Sequence, residues 1–336
     1  MTAEVEHRPR IALTLGDPAG VGPELAVKLL AKPETTQVAE VYVLADRAEV
    51  EAAAAAAGVT VPLADEPVPG FAVLLDDNSA PSEPIVVREV SKAAGERTMH
   101  QLRRAVALAN EGKVEAILFT PLNKTSLKLG GMNEEDELRW FAKELNYTGT
   151  TSELNVLPGL WTARVTSHIP ISEVAERIRP ENVTAAIRLL HGVLSDSGLE
   201  SPRVAVCALN PHAGENGNFG REEIDQIAPG IADAVADGIN AQGPFPSDTV
   251  FLAAKRGDFD GVVTMYHDQG QIAMKLIGFD RGVTIQGGLP IVIATPAHGT
   301  AFDIVGQNIA NLGATEHAFE LAAAIGARLR ASKTLV

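Results

Sequence analysis

The sequence predicts an α/β protein of two lobes built on a mainly parallel sheet, and three observations carry that prediction. Short runs rich in β-branched and apolar residues alternate with amphipathic stretches along the chain. Several of the short runs are apolar without interruption, the pattern of strands covered on both faces. At 336 residues the chain exceeds one simple core and suits two lobes around one cleft.

Strands are expected at 10–15, 40–44, 71–75, 115–119, 163–167, 203–208, 261–265 and 290–295. Helices are expected between them. The stretch 91–112 carries Met99, Leu102, Val106 and Ala109 at helical spacing, with Gly112 as its stop. Stretches 181–194 and 316–331 read the same way, and the alanine run 52–57, followed by Gly58, reads as a surface helix. There is neither a repeat of solenoid length nor a Pro/Gly/Ser-rich linker, so the lobes are expected to be intertwined by chain crossing.

Composition narrows the class of function. With 46% hydrophobic and 21% charged residues the chain is that of a folded globular protein. A net charge of −15 argues against a nucleic-acid backbone or an anionic membrane as partner. It also means that an anionic substrate needs a local device, a metal or a helix N-terminus. A single cysteine, Cys207, excludes an internal disulfide framework and suits a reducing compartment. No apolar run approaches the ~20 residues of a membrane span. Residues 1–10 are polar and lack the apolar core of a signal peptide. A cytoplasmic protein is the expectation.

Four motifs carry chemistry. Leu15-Gly16-Asp17-Pro18-Ala19-Gly20-Val21-Gly22-Pro23-Glu24 follows the first strand, and its glycines and prolines fix a tight strand-to-helix turn. Its glycine spacing is not that of the dinucleotide fingerprint. The turn could present backbone N–H groups to a ligand or be purely structural. The second group is three histidines: His168 in Thr-Ser-His-Ile-Pro, His212 in Asn-Pro-His-Ala-Gly-Glu and His267 in Tyr-His-Asp-Gln-Gly. Each follows an apolar strand, which places it at the carboxyl edge of a parallel sheet, where ligands bind. One histidine there is more often a hydrogen-bonded structural residue; three at equivalent positions suit a divalent ion such as Zn²⁺ with an open coordination position. Asp268 is a further ligand or a partner of His267. His7, His100, His191 and His317 lack such a setting and read as surface residues. The third motif, Thr120-Pro121-Leu122-Asn123-Lys124, puts a lysine at a strand end, to contact substrate or transfer a proton, or simply to lie at the surface. The fourth, His298-Gly299-Thr300-Ala301-Phe302-Asp303-Ile304, leads to Asn311 in a polar loop that could receive an adenosine.

Together these residues resemble the 4-hydroxythreonine-4-phosphate dehydrogenase (PdxA) family of vitamin B6 biosynthesis, whose members share the isocitrate/isopropylmalate dehydrogenase fold. The resemblance runs from Gly16 to near the C-terminus with the motifs in the same order, and the stretches around His212 and His267 are its most specific parts. It implies one divalent metal per subunit, zinc foremost with cobalt, manganese or magnesium open, held by His168, His212 and His267 from both subunits of a homodimer. It implies NAD as coenzyme, with NADP open, held by Gly16, Asp17, His298, Gly299, Thr300, Asp303 and Asn311. Lys275 matches a substrate-contacting lysine, and Lys124, Asp248 and Asp268 are the expected catalytic groups. Residues 1–128 with 290–336 are expected to form the coenzyme lobe, and 129–289 the metal, substrate and dimerisation lobe. The implied reaction oxidises a secondary alcohol β to a carboxylate, and the β-keto acid formed loses CO₂.

The resemblance lapses where the family binds phosphate. Its Gly-His-Thr-Glu position falls on residues 134–137, with Glu135 and Asp136 at its centre, its asparagine on Thr284 and its arginine on Ile293. Losing that arginine removes a bidentate anion contact. The expectation is therefore a different hydroxy acid, a sugar acid or an unphosphorylated one, read in part by the acidic residues. Alternatives are the family's named reaction, a metal-dependent isomerase or lyase that keeps NAD bound, and a non-catalytic binding protein. A plainer reading of 134–137 is the acidic first turn of a helix over 136–145.

Overall fold

A computed structural model describes residues 8–82, 84–278 and 280–334. The chain forms two compact units, one of residues 1–148 with 289–336 and one of residues 149–288. In chain order the first unit opens with β1 (Arg10–Thr14), α1 (Gly22–Leu30), α2 (Pro33–Val38), β2 (Glu40–Leu44), α3 (Arg47–Ala57), β3 (Leu63–Ala64) and β4 (Ala72–Leu74). It continues with α4 (Lys92–Asn110), β5 (Ala116–Phe119), α5 (Lys124–Leu129) and α6 (Glu137–Glu144). The second unit holds β6 (Ser152–Leu157), β7 (Leu160–Arg164), α7 (Val174–Arg177), α8 (Pro180–Asp196) and β8 (Val204–Cys207), then α9 (Ala228–Ala236), β9 (Ala241–Phe245), α10 (Ser247–Lys255), β10 (Gly261–Thr264), α11 (His267–Ile277) and β11 (Val283–Gly287). The chain then returns to the first unit for β12 (Val292–Pro296) and α12 (Gly313–Thr334).

In the first unit the strands run in the order β3-β4-β2-β1-β5-β12, every pair parallel. Helices cover both faces of such a sheet, which is why Ile11, Ala12 and Leu13 on β1 are all fully buried. Its core joins Met99 and Leu102 of α4 to Ile117, Phe119, Phe141 and Ile293. In the second unit the order is β11-β6-β7-β10-β8-β9. There β6 pairs antiparallel with β11 and β7, and the remaining pairs are parallel. Leu160, Val262, Phe251 and Met274 belong to its core.

Helix α4 shows how sequence detail becomes packing. Ser91 caps it, its Oγ accepting the Ala94 N–H at 3.1 Å. One turn on, Gly95 meets α5 backbone to backbone: a Cβ there would lie 1.7 Å from the Ser126 carbonyl oxygen. Gly95→Ala is therefore expected to force α4 and α5 apart and destabilise the protein by about 3 kcal/mol, at the upper end for overpacking. A urea-unfolding midpoint unchanged from the parent would refute this.

Several sequence expectations are corrected. The strand expected at 163–167 ends at Arg164 and starts at Leu160, because a Pro158-Gly159 turn feeds it as the second arm of a hairpin with β6. Strands β6, β9 and β11 lie outside every expected run. In β9, Ala-Gln-Gly-Pro-Phe, glycine and proline hide the strand, and both are tolerated because it lies at the end of the strand order. His317 is buried on α12 and is not a surface residue. His100 is only partly exposed and its Nε2 lies 2.8 Å from the Asp77 carboxylate; His7 lies outside the described residues. No helix among the described residues is long and apolar enough to cross a membrane.

Candidate functional site

The second unit brings two of the three motif histidines together. His168 stands four residues beyond β7 and His267 opens α11 directly after β10, so both lie at the carboxyl ends of adjacent parallel strands. Their ring centroids are 5.6 Å apart with planes at 47°. That separation is compatible with both imidazoles reaching one ion at Zn–N distances of about 2.0–2.1 Å. The rings border a cavity of about 340 Å³, lined also by Ser167, Ile171, Tyr266 and Asp268. The His267 Nδ1 lies 2.7 Å from the Asp268 carboxylate. An ionised carboxylate can only accept, so Nδ1 carries a proton, and in the neutral imidazole Nε2 is then the nitrogen with a lone pair for a ligand.

The root of the His168 loop is pinned by a residue that sequence reasoning missed. Arg164, 5% exposed, donates to Ser167 Oγ at 2.9 Å, Asn155 Oδ1 at 3.0 Å and Glu153 Oε2 at 2.7 Å. Gln271 of α11 donates to the same Asn155 oxygen at 2.6 Å. The available signal is one arginine closing the otherwise uncharged strand Leu-Trp-Thr-Ala-Arg.

His212 sits differently. The turn Pro211–Gly217 after β8 holds five successive residues, His212 to Asn216, in the left-handed region with φ of 53°, 53°, 73°, 41° and 55°. Its ring lies against Phe219 at 6.3 Å. Within one chain the ligand atoms of His168, His212 and His267 do not all come within 4.8 Å of one another. The donor set itself, imidazoles with a carboxylate behind one of them, fits a borderline divalent ion. Asp248 is exposed in the first turn of α10, and Lys275 is exposed in the last turn of α11, two turns beyond His267. Thr284 on β11 pairs in register with Asn155.

In the first unit the two motifs expected to hold a coenzyme pack on each other. Gly16 adopts φ +69°, and a Cβ there would lie 2.5 Å from the Thr120 carbonyl oxygen, so the first motif sits directly on the Thr120-Pro121 turn. The Val21 N–H donates to the Thr300 carbonyl at 3.0 Å, tying that turn to the 298–311 loop. Glu24 accepts from the Ala310 N–H at 3.0 Å, and its carboxylate pairs with Lys28 at 2.6 Å. A cavity of about 400 Å³ lies there, bordered by Pro18, Gly20, Pro23, Arg88, Val305 and Asn308. His298 is partly exposed with Nδ1 3.1 Å from the Gly299 carbonyl oxygen. Asp303 is exposed, and Asn311 accepts from the Gly313 N–H at 2.8 Å. Asp17 is fully buried, and its Oδ1 accepts from the Ala19 N–H at 2.8 Å. Burial pushes its carboxyl above the ordinary range, partly offset by the Ala19 N–H and the Ser126 hydroxyl. Burial likewise raises the Cys207 thiol far above its usual value, which removes it as a nucleophile.

One substrate expectation is corrected. Ile293 is fully buried in the core, paired in register with Ile117, so it lines no pocket. Asp136 is the cap of α6, its Oδ1 accepting the Arg139 N–H at 2.9 Å and Oδ2 meeting the Arg139 guanidinium at 3.2 Å. Glu135 pairs with the same arginine at 3.3 Å, and Glu134 with Lys143. These ion pairs and the cap tie the acidic stretch to α6. Lys124, the first residue of α5, is 64% exposed and reaches Glu137 at 3.7 Å.

The histidines at the carboxyl ends of parallel strands mark a ligand-binding sheet edge, and comparison with known proteins gives the lineage. The family model described as "Pyridoxal phosphate biosynthetic protein PdxA" matches residues 36–322, and the chain belongs to that family. It is 49% identical over 330 residues to a putative 4-hydroxythreonine-4-phosphate dehydrogenase 2 of Pseudomonas aeruginosa, covering 95% of this chain and 97% of the relative. It is 42% identical to a putative D-threonate 4-phosphate dehydrogenase of Oceanobacillus iheyensis, over 95% and 99% of the two chains. The crystal structure of a 4-hydroxythreonine-4-phosphate dehydrogenase from Klebsiella pneumoniae superposes with TM-score 0.82 at 35% identity, over 95% and 98%. The protein is a dehydrogenase, an oxidoreductase acting on a CH–OH donor.

Proposed function

We propose that the protein oxidises the secondary alcohol of a phosphorylated four-carbon sugar acid of the D-threonate 4-phosphate kind, with NAD as acceptor, followed by loss of CO₂ from the β-keto acid. The observation that carries the reaction class is the His168–His267 pair over a cavity, with Asp268 fixing the His267 tautomer. The sugar-acid substrate is supported by relatives whose names state it. The case against phosphate came from residues 134–137, Thr284 and Ile293; of these, Asp136 caps α6 and Ile293 lies in the core.

His168, His212 and His267 would hold a divalent ion able to stabilise negative charge on the substrate oxygens, with NAD as the hydride acceptor. The chain's own residues do the rest. Asp268 keeps the Nδ1 proton of His267 in place, and Arg164 holds the approach to His168. Lys124 and Lys275, both exposed, offer cationic contacts to an anionic substrate on a chain of net charge −15. The 298–311 loop with the Gly16 turn offers the coenzyme a partly apolar slot. The reading includes a homodimer whose subunits share the three ligands, as the resemblance to the family implies.

The test is NADH formation with D-threonate 4-phosphate, D-threonate and 4-phosphohydroxy-L-threonine, each with Zn²⁺, Co²⁺ or Mn²⁺. The first should give the highest kcat/KM. Preference for 4-phosphohydroxy-L-threonine would return the chain to the vitamin B6 reaction named for the Pseudomonas relative, and conversion without NADH would indicate an isomerase or lyase.

A further inference from the structure

The Gln269 side chain reaches in two directions from the first turn of α11. Its Oε1 accepts the Met265 N–H at 2.7 Å, which closes the turn that presents His267. Its Nε2 donates to the Ala208 carbonyl at 2.8 Å, just beyond β8 and four residues before His212. The next two peptides are held from the other side. The Leu209 and Asn210 N–H groups both donate to Glu223 Oε1, at 2.9 and 2.7 Å, and Glu223 is buried. The Asn210 amide donates to Glu222 at 2.7 Å and Glu223 at 3.0 Å. The left-handed run from His212 to Asn216 begins two residues later. Such a run is unfavourable for L-residues and persists where its surroundings over-determine it.

We propose that Gln269 is a positioning residue that couples the His267 turn to the His212 loop, so that metal affinity depends on a side chain that touches no metal. This rests on the reading of the three histidines as ligands. The tie acts within one chain; in a homodimer with shared ligands it orients each loop toward the site its histidine joins. A carboxamide accepts from Met265 and donates to Ala208 at once without a change of protonation, whereas an ionised carboxylate of the same length can only accept.

Three variants separate the halves of the tie. Gln269→Glu, with its carboxylate ionised, keeps an acceptor for Met265 and loses the donor to Ala208; Gln269→Met and Gln269→Ala lose both, and Gln269→Met does so at the same length without an ionisable group. Co²⁺ affinity is read by visible absorption against a competing chelator, and amide hydrogen exchange over residues 209–216 is read on the metal-free protein. Gln269→Glu should weaken Co²⁺ binding tenfold or more, about the effect of removing a partner of a metal ligand. It should also speed exchange over 209–216, with Gln269→Ala at least as large in both. Parent-like Co²⁺ affinity and parent-like exchange in Gln269→Glu would overturn the coupling. A parent protein that takes up no stoichiometric Co²⁺ would overturn the metal reading instead, and the exchange measurement would still decide whether the tie orders the loop. Should Gln269→Ala fail to fold, Gln269→Glu carries the test.

Discussion

Ile293→Arg is expected to leave little folded protein at ordinary temperatures. The side chain has no exposure, packs in the cluster with Ile117, Phe119 and Phe141, and lies on a strand bonded to β5. A guanidinium placed there meets apolar neighbours on a covered face. An unpaired buried charge costs upwards of about 4 kcal/mol, a large part of the roughly 5–15 kcal/mol that holds a domain together. Ile293→Val, which removes one methylene, should cost only about 1 kcal/mol. Soluble yield and the urea midpoint distinguish the two. A well-folded Ile293→Arg protein with improved affinity for phosphorylated substrates would instead restore the alignment that put a phosphate-binding arginine at this position.

His267→Ala should have the largest effect on activity. Its imidazole is held by Asp268, faces His168 across 5.6 Å and is 36% exposed, so its removal empties the proposed ligand position without opening the core. A fall in kcat/KM of about 10³-fold or more is expected, equivalent to about 4 kcal/mol of transition-state stabilisation. The thermal midpoint of the metal-free form should stay within a few degrees of the parent. Treating the parent with a chelator should reproduce the loss. Stoichiometric metal and parental turnover in His267→Ala would take this residue out of the site.

The strong elements of the fold were legible in the sequence because their signals are local. Strands β1, β2, β5, β8, β10 and β12 are apolar runs between turn residues, and a strand covered on both faces needs little else. Helix α4 announced itself by the spacing of Met99, Leu102 and Val106, which are all buried. Strand β11, Val-Thr-Ile-Gln-Gly, was not legible. It is a strand through its pairing with β6, a partner more than a hundred residues earlier, and no local pattern records that.

The site divides along the same line. Residue type and strand-end placement marked His168, His212 and His267, because a parallel sheet delivers the residue after each strand to the same edge. The amino-acid sequence by itself determined the fold class, the family's motifs and the histidines as the centre of interest. The tertiary structure decided which of them meet: His168 and His267 face each other, while His212 rides on a left-handed turn held from its flanks by Glu223 and Gln269. It also decided that Ile293 is core and Asp136 a helix cap. A position counted along a chain reports neighbours in sequence, whereas burial and hydrogen-bond partners depend on which strands and helices come to lie beside it. That is why the chemistry's residue types were visible early and the roles of the surrounding residues only once the chain was folded.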